Sequence, residues 1–236
     1  MTDMLRIEDS GGLLGLTAVD LDPGANASQA DHEAADHGYY VIAGELSVRL
    51  GDQGARLPKG GFAFAPRGVP HTVANAGHGP ARYLRMATPA SAEGEPLAPK
   101  LVQDAPGRVK VLLLGADSGG RVCLMDNVVP AKTTGPPLHH HDFDEAFYVL
   151  EGEATFRVGE DLITRGPGEL AWAPRGSHHC FSNRGDADVR WLLICAPAGF
   201  ERYFQRMAAK EAGVDPPPEA LEPWPEVTVV GPPIRV

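Results

Sequence analysis

The apolar positions of this chain fall in short runs with turn residues at their ends. "YYVIAGELSVRL", "GFAFAPRG", "RVKVLLLG", "RVCLMDNVV", "AFYVLEGEATFRVG", "GELAWAPRG" and "VRWLLICA" are all strand-length and rich in β-branched or aromatic residues. Many short strands separated by frequent turn signals predict an all-β sandwich or barrel. One segment has a different period. "GFERYFQRMAAKEAG" spaces Phe200, Tyr203, Phe204 and Met207 as on one helix face and stops at Gly213 before a proline run. It predicts a short C-terminal helix with a glycine stop. The tail "EVTVVGPPIRV" reads as one more strand.

The same pattern occurs twice. "YYVIAGELSVRL…KGGFAFAPRGVPHTVAN" aligns without gaps on "FYVLEGEATFRV…GPGELAWAPRGSHHCFSN", His71 falling on His179, an offset of 108 (179 − 71). An internal repeat of this length is the size of one small domain. "TPASAEGEPLAP" between the copies has no periodicity and reads as a linker. Two β domains are therefore expected, at 1–95 and 96–236.

Composition narrows the function classes. The 21 basic and 31 acidic residues give a net charge of −10. That balance offers nothing to nucleic acid or to an anionic membrane. The N-terminus lacks the apolar core of a signal peptide, and no apolar run reaches the length of a membrane span. Three cysteines without C-x-x-C spacing, two of them (Cys123 and Cys195) in apolar runs, read as buried free thiols. A reducing, cytoplasmic compartment is expected.

The candidate chemistry lies in "GPPLHHHDFDEAFYVLEG". In an extended chain His139, His141, Glu145, Phe147 and Val149 share one face, and His140 faces the other way. Asp142, Asp144 and Glu151 read as solvated. His179 follows a Pro174-Arg175-Gly176 turn in the second conserved stretch of the repeat. Imidazoles with a carboxylate and no thiolate suit a divalent transition metal (Fe, Mn, Ni, Cu or Zn), with positions open to water, substrate or dioxygen. Phe147, Val149 and Phe181 are the candidate pocket walls, and Trp172 and Trp191 read as core.

These residues resemble the cupin superfamily. Its first motif, G-x5-H-x-H-x3,4-E-x6-G, is matched by His139, His141, Glu145 and Gly152, with Thr133 in the place of the leading glycine and Gly135 nearby. Its second, G-x5-P-x-G-x2-H-x3-N, is matched by Gly168, Pro174, Gly176, His179 and Asn183. The resemblance implies two tandem cupin jelly-roll barrels, a bicupin, with one metal held by His139, His141, Glu145 and His179. It also makes a homodimer a family-level expectation. The stretch from His139 to Gly159, followed by "PAGFERYFQRMA", is similar to bacterial quercetinase-like cupins. That implies a dioxygenase acting on a small enolic or flavonol-like substrate, with Glu145 as the catalytic base. Non-oxidative isomerisation, decarboxylation or hydrolysis at the same site, and a binding module without catalysis, are the alternatives.

The first copy keeps the second motif (Gly60, Pro66, Gly68, His71, Asn75) and loses the first. In the ungapped register His37 stands where Glu145 is, Glu33 where His141 is and Asp31 where His139 is. A one-residue gap places His32 and Ala34 opposite the two histidines instead. The first barrel is thus either a degenerate packing domain or a second site drawn from Asp31, Glu33, His37 and His71.

Overall fold

A computed structural model describes residues 1–27, 35–89, 97–103 and 107–236. The chain divides into two compact units, Met1–Ala105 with Asp117–Gly119, and Pro106–Ala116 with Gly120–Val236. Both are antiparallel β-sandwiches, as the run pattern predicts.

The first unit contains β1 (Thr2–Leu5), β2 (Gly15–Leu21), β3 (Ala35–Ala43), β4 (Glu45–Leu50), β5 (Gln53–Pro58), β6 (Phe62–Ala65), β7 (His71–Ala74), β8 (Ala81–Pro89) and β9 (Lys100–Val102). One sheet has the order β1-β2-β8-β3-β6-β9 and the other β5-β4-β7. Between them Val41, Leu46, Val48, Leu50, Leu57 and Val73 form the core, with Tyr39 and Tyr83. β9 lies past the expected boundary at residue 95 and pairs with β6 of this unit.

The second unit contains β10 (Val109–Leu113), β11 (Cys123–Val129), β12 (Thr133–Thr134), β13 (Leu138–His140), β14 (Asp144–Glu151), β15 (Ala154–Val158), β16 (Asp161–Arg165), β17 (Leu170–Ala173), β18 (His179–Asn183) and β19 (Val189–Ala196). The helix α1 (Glu201–Ala212) and β20 (Thr228–Gly231) follow. Its sheets run β10-β11-β19-β14-β17 and β16-β15-β18-β13-β20, and β12 also pairs with β18. Phe147, Phe156 and Trp191 are buried between them, and Phe181 meets Trp191 edge-on at 4.9 Å. The predicted helix ends as expected: Gly213 is left-handed (φ 68°), and the Val214 amide donates to the Ala209 carbonyl at 3.0 Å. The tail strand is β20, paired with β13. Among the described residues, no helix is long and apolar enough to cross a membrane.

The strand pairing settles the repeat register at Glu145. His37 faces Ala65 and Ala87 across β6 and β8, and Glu145 faces Ala173 and Cys195 across β17 and β19. Each pair of positions differs by 108 (173 − 65, 195 − 87), so His37 stands in the place of Glu145. Asp31 and Glu33, the other two candidates in the first unit, lie outside the described residues.

Two polar clamps recur at the same offset. Asn183 Nδ2 donates to the carbonyls of Val129, Pro130 and Ala187, and its Oδ1 accepts from the Gly185 amide. Asn75 does the same with Leu21, Gly79 and Gly77. The second clamp corrects the reading of Asp144 as solvated. Its carboxylate is 3% exposed and accepts from the Arg175 amide at 2.7 Å and from the Arg175 guanidinium at 3.2 Å. Asp36 holds the Arg67 amide at 2.8 Å in the first unit. These acids pin the Pro-Arg-Gly turn that leads to His71 and His179. Hydrogen bonds to a buried charge contribute about 1.5–3 kcal/mol each. Asp144→Ala should therefore lower stability by roughly 2–4 kcal/mol, the net of its three hydrogen bonds, two of them to a half-exposed guanidinium, and their desolvation. Urea denaturation checks it, and a loss below about 1 kcal/mol would show that the turn holds without the clamp.

Candidate metal centre

His139, His141, Glu145 and His179 come together in the second unit. All four are buried, and one ligand atom from each lies within 4.8 Å of the others. The strand that carries His139 does not run on to Glu145, as an unbroken extended chain would. It ends at His140, the chain turns through residues 141–143, and Glu145 enters on β14 in the opposite sheet. His139 and His179 are directly opposed on β13 and β18 of one sheet. The centre is thus closed from both sheets, with His141 in the crossing link. The Gly176 amide donates to the His141 carbonyl at 2.8 Å and fixes that link against the turn before His179.

Each imidazole is oriented by a carbonyl of its own segment. Nδ1 of His139 lies 2.8 Å from Pro137 O, Nδ1 of His141 2.9 Å from Phe143 O, and Nδ1 of His179 3.0 Å from Ser177 O. A carbonyl only accepts, so Nδ1 carries a proton in all three rings and Nε2 is left to face the centre. His141 is further held by stacking on Phe143, at 3.5 Å and 4° between planes.

The electrostatics follow from these contacts. Glu145 Oε2 lies 3.0 Å from His179 Nε2 and 3.5 Å from His141 Nε2. The first distance is a hydrogen bond; at the second the buried His141 Nε2 makes no hydrogen bond. Burial alone would raise the Glu145 pKa, but the two imidazoles more than offset it and hold the carboxyl down at about 2. Burial also acts against a charged His179, yet its bond to Glu145 wins and its pKa is raised. With both ring nitrogens donating, His179 is then the imidazolium partner of the carboxylate. For His139 burial wins and the pKa is lowered, so this ring stays neutral.

A metal fits this arrangement. Three rings already hold the Nδ1–H form that metal-binding imidazoles use, an unpartnered buried Nε2 points inward, and one ionised carboxylate supplies compensating charge. The buried His/Glu cluster could hold one ion. Among the described residues it is the one group of three or more His, Cys, Asp or Glu side chains placed to do so. The first unit differs at this point. His71 Nδ1 is tied to Val69 O at 2.8 Å, but its Nε2 accepts from the Tyr39 hydroxyl at 2.7 Å, and Tyr39 occupies the place of Phe147. The His37 and His71 rings lie 5.4 Å apart.

The sequence pattern of the family described as "Cupin domain" matches the chain twice, over residues 17–86 and 127–195. The chain belongs to the cupin family. Protein Ylba from E. coli is similar in fold, with a TM-score of 0.71 at 16% identity over 83% of this chain and 81% of that one. Bacillus subtilis oxalate decarboxylase, described with Mn(II) centres, gives a TM-score of 0.64 at 14% identity over 95% and 83%. The tetracenomycin polyketide synthase protein TcmJ of Streptomyces glaucescens is 32% identical over 80 residues, which are 34% of this chain and 52% of that protein. The chain thus spans about half the length of the curated relative it matches.

Three residues of this cupin site carry no sequence signal of their own. Cys195, cross-strand from Glu145, brings Sγ to 4.0 Å from Glu145 Oε1, the oxygen turned away from the histidines. Burial, with Cys123 beside it, pushes the Cys195 thiol well up, so it stays a protonated donor. Phe143 backs His141 and touches Phe200 at 5.1 Å. Phe200 caps α1, whose first residue, the buried Glu201, accepts from the amides of Gly115 at 2.9 Å and Gly199 at 2.6 Å. Of the expected pocket walls, Phe147 and Val149 are packed in the core and Phe181 is half-buried against it. Gly135 has a steric reason to be glycine: a Cβ there would fall 1.9 Å from Phe181 O.

Because the folded-state pKa of Glu145 lies below its ordinary value, its contribution to stability is present above about pH 4.5 and lost as pH falls toward 2. In chelator-treated protein the stability gap between wild type and Glu145→Gln should therefore shrink across that window. A gap that is constant from pH 6 to pH 3 would show that the carboxylate is not held ionised by its neighbours (about one pKa unit per 1.4 kcal/mol).

Proposed function

We propose that the second barrel is the active domain of a metal-dependent enzyme that uses dioxygen to cleave a small enolic or flavonol-like substrate. The observation that carries the metal dependence is the set of three Nδ1-pinned imidazoles and one carboxylate closing on a buried point. The likeness of the His139–Gly159 stretch to quercetinase-like cupins supports the reaction class. The resemblance to a polyketide synthase protein supports a phenolic or enolisable substrate.

In this reading His139, His141, Glu145 and His179 are the ligands. The ion, when bound, supplies Lewis acidity at a substrate oxygen and an open position for dioxygen. The protein's own part centres on Glu145. Its low pKa depends on its imidazole partners. The carboxyl is held in its ionised form, the one that can accept a proton. Oε2 faces the histidines and is the atom placed to take the substrate hydroxyl proton. Cys195 holds Oε1 from behind, through a donor weak enough to let the carboxylate turn. Phe143 and Phe200 shield the His141 side from water, and the half-buried Phe181 offers an apolar ring to a flat substrate.

A non-oxidative reaction at the same site is the second reading. It is favoured by Glu145 being the one acid in the cluster, since a single proton-transfer group with a Lewis acid suffices for isomerisation or decarboxylation. Oxygen-electrode traces on a panel of enolic substrates separate the two: consumption matched to substrate loss supports cleavage by dioxygen, and turnover under argon supports the alternative. Protein purified without a histidine tag should carry a transition ion in this cluster that His179→Ala loses. Glu145→Gln should keep part of the ion and lose roughly 10²–10⁴ in turnover. Full activity in Glu145→Gln would remove Glu145 as the base.

A further inference from the structure

We infer that His140 and His178 form a second divalent-metal site, on the outer face of the two strands whose inner face carries His139 and His179. β13 and β18 are antiparallel with His139 opposite His179; His140 ends β13, His178 immediately precedes β18, and their rings lie side by side. Successive side chains of a strand alternate faces, which sends this pair outward. His140 is half-buried and His178 exposed, so the pair is open to solvent ions.

The spacing suits a shared ion. The two ring centroids are 5.4 Å apart with 31° between planes. The three histidine pairs of the inner cluster span 4.4 to 5.6 Å, so the outer pair falls within their range. An imidazole centroid lies about 3.2 Å from an ion held at a Zn–N distance of about 2.0–2.1 Å. Two rings at the observed spacing then subtend roughly 115° at the ion, near the tetrahedral angle. Thr228 of β20 stands opposite His140 in the same cross-strand row. Two imidazoles, with water in the remaining positions, select the borderline ions Zn(II), Ni(II) and Cu(II) over Mg(II) or Ca(II), which require oxygen ligands. Such an ion would tie β13 to β18 from outside, leaving the inner histidines untouched. The site does not depend on the function proposed above.

The test compares metal content. Chelator-stripped full-length protein without a tag is dialysed against Zn(II), and bound zinc is measured per chain. Wild type should retain one equivalent more than His140→Asn/His178→Asn, whatever the inner site holds. His179→Ala, which lies in the inner cluster, should keep the outer equivalent. With Cu(II), electron paramagnetic resonance should show a nitrogen-coordinated species that disappears in the double variant. The single change His178→Ala, at an exposed position, should give the same loss and covers a misfolded double variant. Equal zinc content in wild type and both outer-face variants, with an unchanged copper spectrum, would overturn the proposal. Loss of metal in His179→Ala alone would implicate only the inner centre.

Discussion

The site depends on three hydrogen bonds that never touch its centre. Each histidine of the cluster gives its Nδ1 proton to a carbonyl two residues away in its own segment. A free imidazole can present either nitrogen and rotate about two bonds. A ring tied to its own backbone can do neither, so its orientation is set when the local chain folds. What remains for the tertiary structure is to bring four short segments together. The two polar clamps do this: Asn183 gathers the loops around Val129 and Ala187, and Asp144 pins the turn before His179.

Comparison of the two units separates scaffold from chemistry. Both clamps recur in the first unit, and so does the Nδ1–carbonyl bond, at His71. What differs is the interior. His37 replaces Glu145, Tyr39 replaces Phe147 and seals His71 Nε2, and Gly15 and Ala87 stand where Cys123 and Cys195 lie. Each replacement changes a residue in or beside the His/Glu cluster without disturbing a strand register. The barrel can therefore be kept while its contents are changed.

The repeat, the sandwich class, the helix with its glycine stop and the tail strand were all legible in the sequence because each rests on local pattern. The four cluster residues were legible because their spacing is bound to turn glycines and prolines. The face on which His139 and Glu145 meet was inferred from an unbroken strand, whereas the real path crosses from one sheet to the other at His141. The result is the same because the crossing link is itself held by Gly176. Asp144 looks solvated in the sequence for a physical reason: it is an acid among acids, and its partner, Arg175, lies 31 residues on (175 − 144). Cys195 was unreadable as a neighbour of Glu145 because nearness across strands is a matter of register, which one sequence does not carry.

Glu201 gives the helix an unusual mechanical standing. A helix that rests on a barrel through aromatic side chains alone could rock, since such contacts slide at little cost. Here a buried carboxylate bridges two amides, Gly115 just after β10 and Gly199 just ahead of α1, and Phe200 sits immediately before it. Lifting the start of α1 would leave a buried carboxyl group without its two amide donors. The helix is bolted to the barrel at its first turn.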